Sequence, residues 1–202
     1  LPTDIHVSKV CVMRDAILEK AEQQLMTGGF DKLNFAKIAS ELNTTRANLH
    51  YHFKNKELLA IEVTKQYGAR YCDQFAVMRA SFNGNFVGFF EAVDSFYWDQ
   101  PDGNEDAKVN ACICLVSDPE LPEAIGDVSR GHYLTIQQTI QGVIQDAIDN
   151  KEVRADIDAQ REAIRAHVIM MGIGTSAQHL LSIKQAKQEL GGLLVDWANS
   201  LK

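Results

Sequence analysis

Several things are missing from this chain of 202 residues, and each absence removes a class of protein. No apolar run approaches the roughly 20 residues needed to cross a bilayer, and no membrane partner is expected. No segment reads as a secretory signal. The four cysteines, at positions 11, 72, 112 and 114, form no C-x-x-C pair. A reduced, cytoplasmic protein without disulfides is therefore expected. No stretch alternates with the period of two that marks a strand, and there is no internal repeat or low-complexity tract. Enzyme signatures are missing too: no H-x-x-x-H, no glycine-rich phosphate loop, no nucleophile motif. His50 and His52 diverge on a helix, and His167 and His179 are twelve apart. We expect no catalytic residue, no metal and no cofactor.

Positive charge is scarce, with 20 Lys and Arg against 27 Asp and Glu, a net charge of −7. The deficit is uneven. Residues 1–56 hold eight basic and six acidic side chains, a balance of +2, whereas residues 57–202 stand at −9. Within the mildly basic part lies a window with no acid at all, Leu42 to Lys56, LNTTRANLHYHFKNK. It carries Arg46, Lys54 and Lys56 and the consecutive rings of His50, Tyr51 and His52. Cations and hydrogen-bonding side chains gathered this way point to DNA. The modest charge implies that hydroxyls and helix N-termini share the phosphate contacts.

What is present reads as all-α, with about nine helices. The first runs roughly from Ser8 to Thr27, with Val10, Met13, Ile17, Ala21 and Leu25 on one face, and ends at Gly28-Gly29. Asn34 caps a second helix, Asn43 makes a tight turn, and Thr44 or Thr45 caps a third anchored by Leu49 and Phe53. Asn55 opens a long fourth helix with Leu59, Val63, Tyr67, Tyr71, Phe75 and Met78 as its stripe. A fifth, aromatic-rich helix spans about Phe86 to Trp98. A short sixth holds Val109, Cys112, Ile113 and Val116. Asp118-Pro119 starts a seventh that runs to about Asn150. Asp158 opens an eighth ending near Ile183, and a ninth runs from about Lys184 to Leu201. Residues 1–56 read as a helix-turn-helix domain and 57–202 as a helical effector-binding and dimerisation domain. The only visible packing boundary lies in or just after the fourth helix, near Tyr71 to Phe82.

A helix-turn-helix needs a small residue where its helices cross, and Ala39 supplies it. Four residues later it needs one that tolerates positive φ, and Asn43 does. Ten after Ala39 a branched apolar residue must plug the core, and Leu49 fits, with Ile38 and Leu42 completing the buried face.

The stretch Leu49 to Leu59 closely resembles the L-Y-x-H-F-x-x-K-x-x-L signature of the tetracycline-repressor (TetR) family, and the resemblance covers roughly residues 10 to 60. The chain departs at three positions: His50 replaces the usual tyrosine, Asn43 the glycine of the turn, and Asn34 a Thr or Ser. The resemblance implies a role for each residue. Asn34 lies next to a phosphate. Thr44 and Thr45 meet backbone or a base edge, and Ala47 allows close approach to a thymine methyl. Arg46 and Asn48 read bases, arginine suiting guanine and asparagine adenine. His50, Tyr51, His52 and Lys56 position the duplex through phosphates.

Beyond residue 60 the helices match only in order and length. Met170 to Ala177 is rich in small residues, which let helix axes approach closely, and the ninth helix carries an apolar stripe. The resemblance implies a two-fold dimer through these two helices, with Ile169, Gly172, Ile173, Ser176, Leu180, Leu190, Leu194 and Trp197 at the interface. Two recognition helices about 34–36 Å apart would then read a palindromic operator. It also implies a pocket for a small organic effector. Phe86, Phe89, Phe90 and Tyr97 form one wall, and Cys112, Val116, Tyr133, Gln137, His167 and Met171 the others. An effector-released repressor is the function implied. The alternative is a regulator that senses thiol oxidation or electrophiles through Cys112 or Cys114.

Overall fold

The computed structural model describes residues 3–98 and 121–202, with side chains from Cys11 onward except Thr27. The described residues form nine helices and no strand. These are α1 (Thr3–Lys32), α2 (Phe35–Glu41), α3 (Arg46–His52), α4 (Lys56–Ser81), α5 (Phe86–Trp98), α6 (Glu123–Asp149), α7 (Ala159–Ala177), α8 (Ile183–Leu190) and α9 (Leu193–Asn199). Six of their starts follow from short polar side chains that meet the first free amides of a helix. Asn34 Oδ1 accepts from the Ala36 and Lys37 amides at 2.8 and 3.1 Å. Asn55, Asn85, Asp158 and Ser182 do the same for α4, α5, α7 and α8.

The chain clusters into two compact units. The first comprises residues 3–69 and 121–131. Its core joins Ile17, Leu18 and Leu25 of α1, Phe35 and Ile38 of α2, and Leu49 of α3 to Leu59 and Val63 of α4 and Ile125 of α6. This unit reaches past the division at residue 56 expected from sequence. Three helices, two of them only seven residues long, bury too little by themselves. The start of α4 and the start of α6 complete the core.

The second unit comprises residues 70–98 and 132–202. Phe75, Phe89, Phe90, Ile140, Ile144, Met170 and Leu194 lie at its centre. Phe90 meets the Trp197 ring edge-on at 5.0 Å and Phe86 at 5.1 Å. Arg79 grips Asp146 with a two-pronged contact, Nε to Oδ2 at 2.9 Å and Nη2 to Oδ1 at 3.2 Å, which ties α4 to α6.

Four boundaries differ from the expectation. The first helix starts earlier, at Thr3, and continues to Lys32 across a break at Gly29, whose φ of 71° suits glycine. The helix after Pro122 begins at Glu123. The eighth predicted helix stops at Ala177 rather than near Ile183, so Leu180 lies in a turn. There Ser182 restarts the chain: its Oγ accepts the Gln185 amide, and Gln185 Oε1 accepts the Leu181 amide. The ninth predicted helix is two, α8 and α9, parted at Gly191-Gly192. Gly192 holds φ 84°, and its amide donates to both carboxylate oxygens of Asp94 at 3.2 Å. The predicted sixth helix and the Asp118-Pro119 cap fall outside the described residues.

Candidate nucleic-acid interface

The α2–turn–α3 unit is held in place by backbone and side-chain bonds that leave one face of α3 outward. Gln24, buried on α1, accepts the Asn34 amide at 2.8 Å and so fixes the residue that caps α2. Asn43 turns the chain at φ 50°. Thr44 N–H then donates to the Ala39 carbonyl at 2.9 Å. The Thr45 hydroxyl caps α3 by accepting the Asn48 amide at 3.2 Å. Leu49 is 0% exposed, and Phe53 is buried just beyond the helix. A guanidinium of α1, Arg14, lies 5.1 Å over the Phe53 ring and 3.0 Å from Glu62 of α4.

With Leu49 inward, Arg46, Ala47 and Tyr51 stand outward. Tyr51 is 76% exposed, unusual for so large a ring. Asn48 is half-buried, and its Nδ2 donates to Thr44 Oγ1 at 3.0 Å. His50 is tethered: its Nδ1–H donates to the Lys54 carbonyl at 3.1 Å, and its ring leans on Phe35 at 4.9 Å. His52 is half-buried with its ring edge-on to Tyr51 at 5.3 Å. Lys56 Nζ sits 4.3 Å over the Phe30 ring and 3.4 Å from the Asp31 carbonyl. Asn34 and Thr45 are exposed.

Two kinds of residue escaped the sequence reading. Lys37 and Lys54 are exposed cations that were assigned no role; Lys54 already stood in the acid-free window, whereas Lys37, with Glu41 one turn on, carried no such signal. Gln24 is a support with no signal, because ten residues of chain separate it from Asn34.

The residues expected to wall a pocket are only partly gathered. Tyr133 and His167 stack at 4.0 Å with 17° between their planes. His167 is 4% exposed, and its Nδ1 has no hydrogen-bond partner among the described residues. Burial pushes its pKa down to about 4, and burial lowers that of His132 as well. Tyr97 donates its hydroxyl to the Met170 carbonyl at 3.3 Å. Gln137 and Met171 are half-buried. Phe86, Phe89 and Phe90 are packed in the unit's own core. Cys112, Val116 and Cys114 lie outside the described residues. Of the described thiols, Cys72 is pushed up first by burial and then by Asp73, which disfavours the reactive thiolate. No group of ligating side chains fit for a metal occurs among the described residues, and no described helix is long and apolar enough to cross a membrane.

The residues expected at an interface divide sharply. Gly172 and Ser176 are exposed, and Ile169, Leu180, Leu190 and Trp197 are half-buried. Ile173 and Leu194 are buried within the chain's own core and present nothing to a partner. Trp197 Nε1 donates to Glu162 at 3.0 Å. The exposed apolar side chains on α7 are Ile164 and Val168 instead. They precede Gly172 and Ser176 at intervals of four, which places all four on one face.

Two short helices joined by a tight turn, the second presenting a cationic and acid-free face, define a helix-turn-helix DNA-binding protein. The family model for bacterial regulatory proteins, tetR family, matches residues 17–63. That segment matches the helix-turn-helix DNA-binding domain of this family. Solved structures extend the likeness of fold over the rest. A TetR-family regulator from Agrobacterium tumefaciens is 19% identical, covering 93% of this chain and 97% of its own at a TM-score of 0.81. One from Cytophaga hutchinsonii is 17% identical, with 96% of each chain covered and a TM-score of 0.78. The reduced form of NemR from E. coli is 13% identical, covering 93% and 96%, with a TM-score of 0.77. No curated protein matches the sequence.

Proposed function

We propose that this protein is a transcriptional repressor that binds a palindromic operator as a two-fold dimer and is released by a small organic effector. The observation that carries the reading is the outer face of α3. Arg46, Ala47 and Tyr51 are exposed on a helix whose Leu49 is fully buried, inside a window without an acid. A ring as exposed as Tyr51 gains little in water, whereas its hydroxyl can bond a phosphate. Arg46 suits guanine, and Lys37, Lys54 and Lys56 add phosphate contacts.

The dimer reading is supported by the exposed α7 face of Ile164, Val168, Gly172 and Ser176, together with Leu181 and Leu193. One short helix reads too few bases, and a two-fold pair reads two half-sites. Tyr133 and His167 support the effector reading. An uncharged imidazole, stacked on a phenol ring with one nitrogen unmet, is a polar anchor in an apolar setting. A ligand weakens DNA binding only by favouring a conformer that binds DNA less well. The lever in this reading is α4, whose residues divide between the two units.

Gel-shift titration of the purified protein with duplexes from the region of its own gene, at several salt concentrations, tests the reading. Sequence-selective binding that weakens steeply with salt is expected. Arg46→Ala should reduce affinity for the preferred site by about tenfold or more. Binding that ignores sequence, or that survives Arg46→Ala unchanged, overturns it.

A further inference from the structure

We infer that Thr44 is a positioning residue for base reading: its hydroxyl holds the Asn48 side chain in place to meet an adenine. This rests on the DNA-binding reading above. Two threonines precede α3, and they are bonded differently. Thr45 caps the helix, its hydroxyl accepting the Asn48 backbone amide. The Thr44 hydroxyl is not needed for that cap; it accepts the Asn48 side-chain Nδ2 at 3.0 Å. Thr44 is itself held, because its backbone amide donates to the Ala39 carbonyl of α2 at 2.9 Å. A β-branched side chain also has few χ1 choices. The tether therefore runs from α2 through a stiff residue to a half-buried amide beside exposed Arg46 and Ala47.

The chemistry follows from what the amide keeps. One Nδ2 hydrogen is given to Thr44, leaving Oδ1 as an acceptor and a second N–H as a donor. Adenine presents the matching pair in the major groove, an N6 donor beside an N7 acceptor. An untethered asparagine samples several rotamers before it reaches a base. A tethered one is already placed when it meets DNA, and less side-chain freedom is lost on binding. Each half-site should then contain one adenine read by Asn48.

Selection of bound sequences from a pool of random duplexes tests this. It compares the full-length protein with Asn48→Ala, Thr44→Val, Thr44→Ala and Thr44→Ser, with thermal midpoints measured alongside. The unaltered protein should favour adenine at one position per half-site by about tenfold. Asn48→Ala should abolish that preference. Thr44→Val and Thr44→Ala should cut it to a few-fold and leave other positions unchanged, while Thr44→Ser, which restores the hydroxyl, should recover it. A merely structural threonine would lower affinity for every site alike. Adenine preference that persists in both hydroxyl-free variants sinks the inference, as does a preferred site indifferent to Asn48→Ala. An unaltered protein that binds no duplex selectively sinks the DNA-binding reading as well, so the two failures are distinguishable.

Discussion

At His167 an imidazole lies almost wholly buried against Tyr133 with one nitrogen unmet among the described residues. Its pKa of about 4 lies below the ordinary value near 6.5, so the unfolded chain binds the proton more readily. Stability is unaffected by this group above about pH 6.5 and declines as pH falls from there towards 4. His132, lowered in the same direction, adds to the decline. Thermal midpoints measured from pH 7 to pH 4 should therefore fall less steeply in His167→Phe, which keeps the stack and removes the titration. Equal slopes in both proteins would refute the assignment. The sequence shows His167 and Tyr133 only as members of two helical stripes. Their contact joins residues 34 apart in the chain, and no periodicity encodes such a pairing.

Among the elements, α2, α4 and α7 were legible from the side-chain caps that start them. Asn34, Asn55 and Asp158 stand directly before an apolar-periodic run, and each accepts an amide from the first turn of its helix. Asn34→Ala should cost about 1 kcal/mol in urea unfolding, with a larger loss in DNA affinity because α2 positions α3. Undiminished DNA binding would contradict that link. The α7–α8 break was also written in the chain, as Ser182-Ile183-Lys184-Gln185, a Ser-x-x-Gln start. It was overlooked because the apolar spacing runs on through it. The α8–α9 break is different. Gly191-Gly192 permits it, but Asp94, 98 residues away, stabilises it by accepting the Gly192 amide, and the same carboxylate also accepts the Trp98 indole N–H at 3.1 Å. Asp94→Ala leaves both donors short of a partner and should destabilise the protein by about 1–3 kcal/mol, read from denaturant unfolding. Little change would show that water replaces the carboxylate.

For the molecule as a whole, the prediction that matters concerns pairing. Val168→Glu places a charge at the centre of the exposed α7 face and should give a monomer by size-exclusion chromatography with light scattering. Its circular dichroism should be unchanged, because Val168 is 60% exposed in the chain. In the proposed two-fold pair one recognition helix brings a second, so affinity for the preferred duplex should drop at least tenfold. A Val168→Glu protein that stays dimeric would move the interface elsewhere. The boundary between the two units belongs to this scale too. Nothing local marks Ala69 and Arg70, inside an unbroken helix, as a division.

By itself, the sequence determined the all-α class, the caps that begin α2, α3, α4 and α7, and the helix-turn-helix segment. Each depends on residues within a turn or two of one another, where spacing and side-chain chemistry are enough. Tertiary structure alone decided that Ile125 joins the N-terminal core and that Ile173 and Leu194 turn inward. It also decided that Gln24 braces Asn34 and that Tyr133 meets His167. Those outcomes depend on which helix faces pack together. An apolar stripe specifies that a face will be buried, but not which partner buries it.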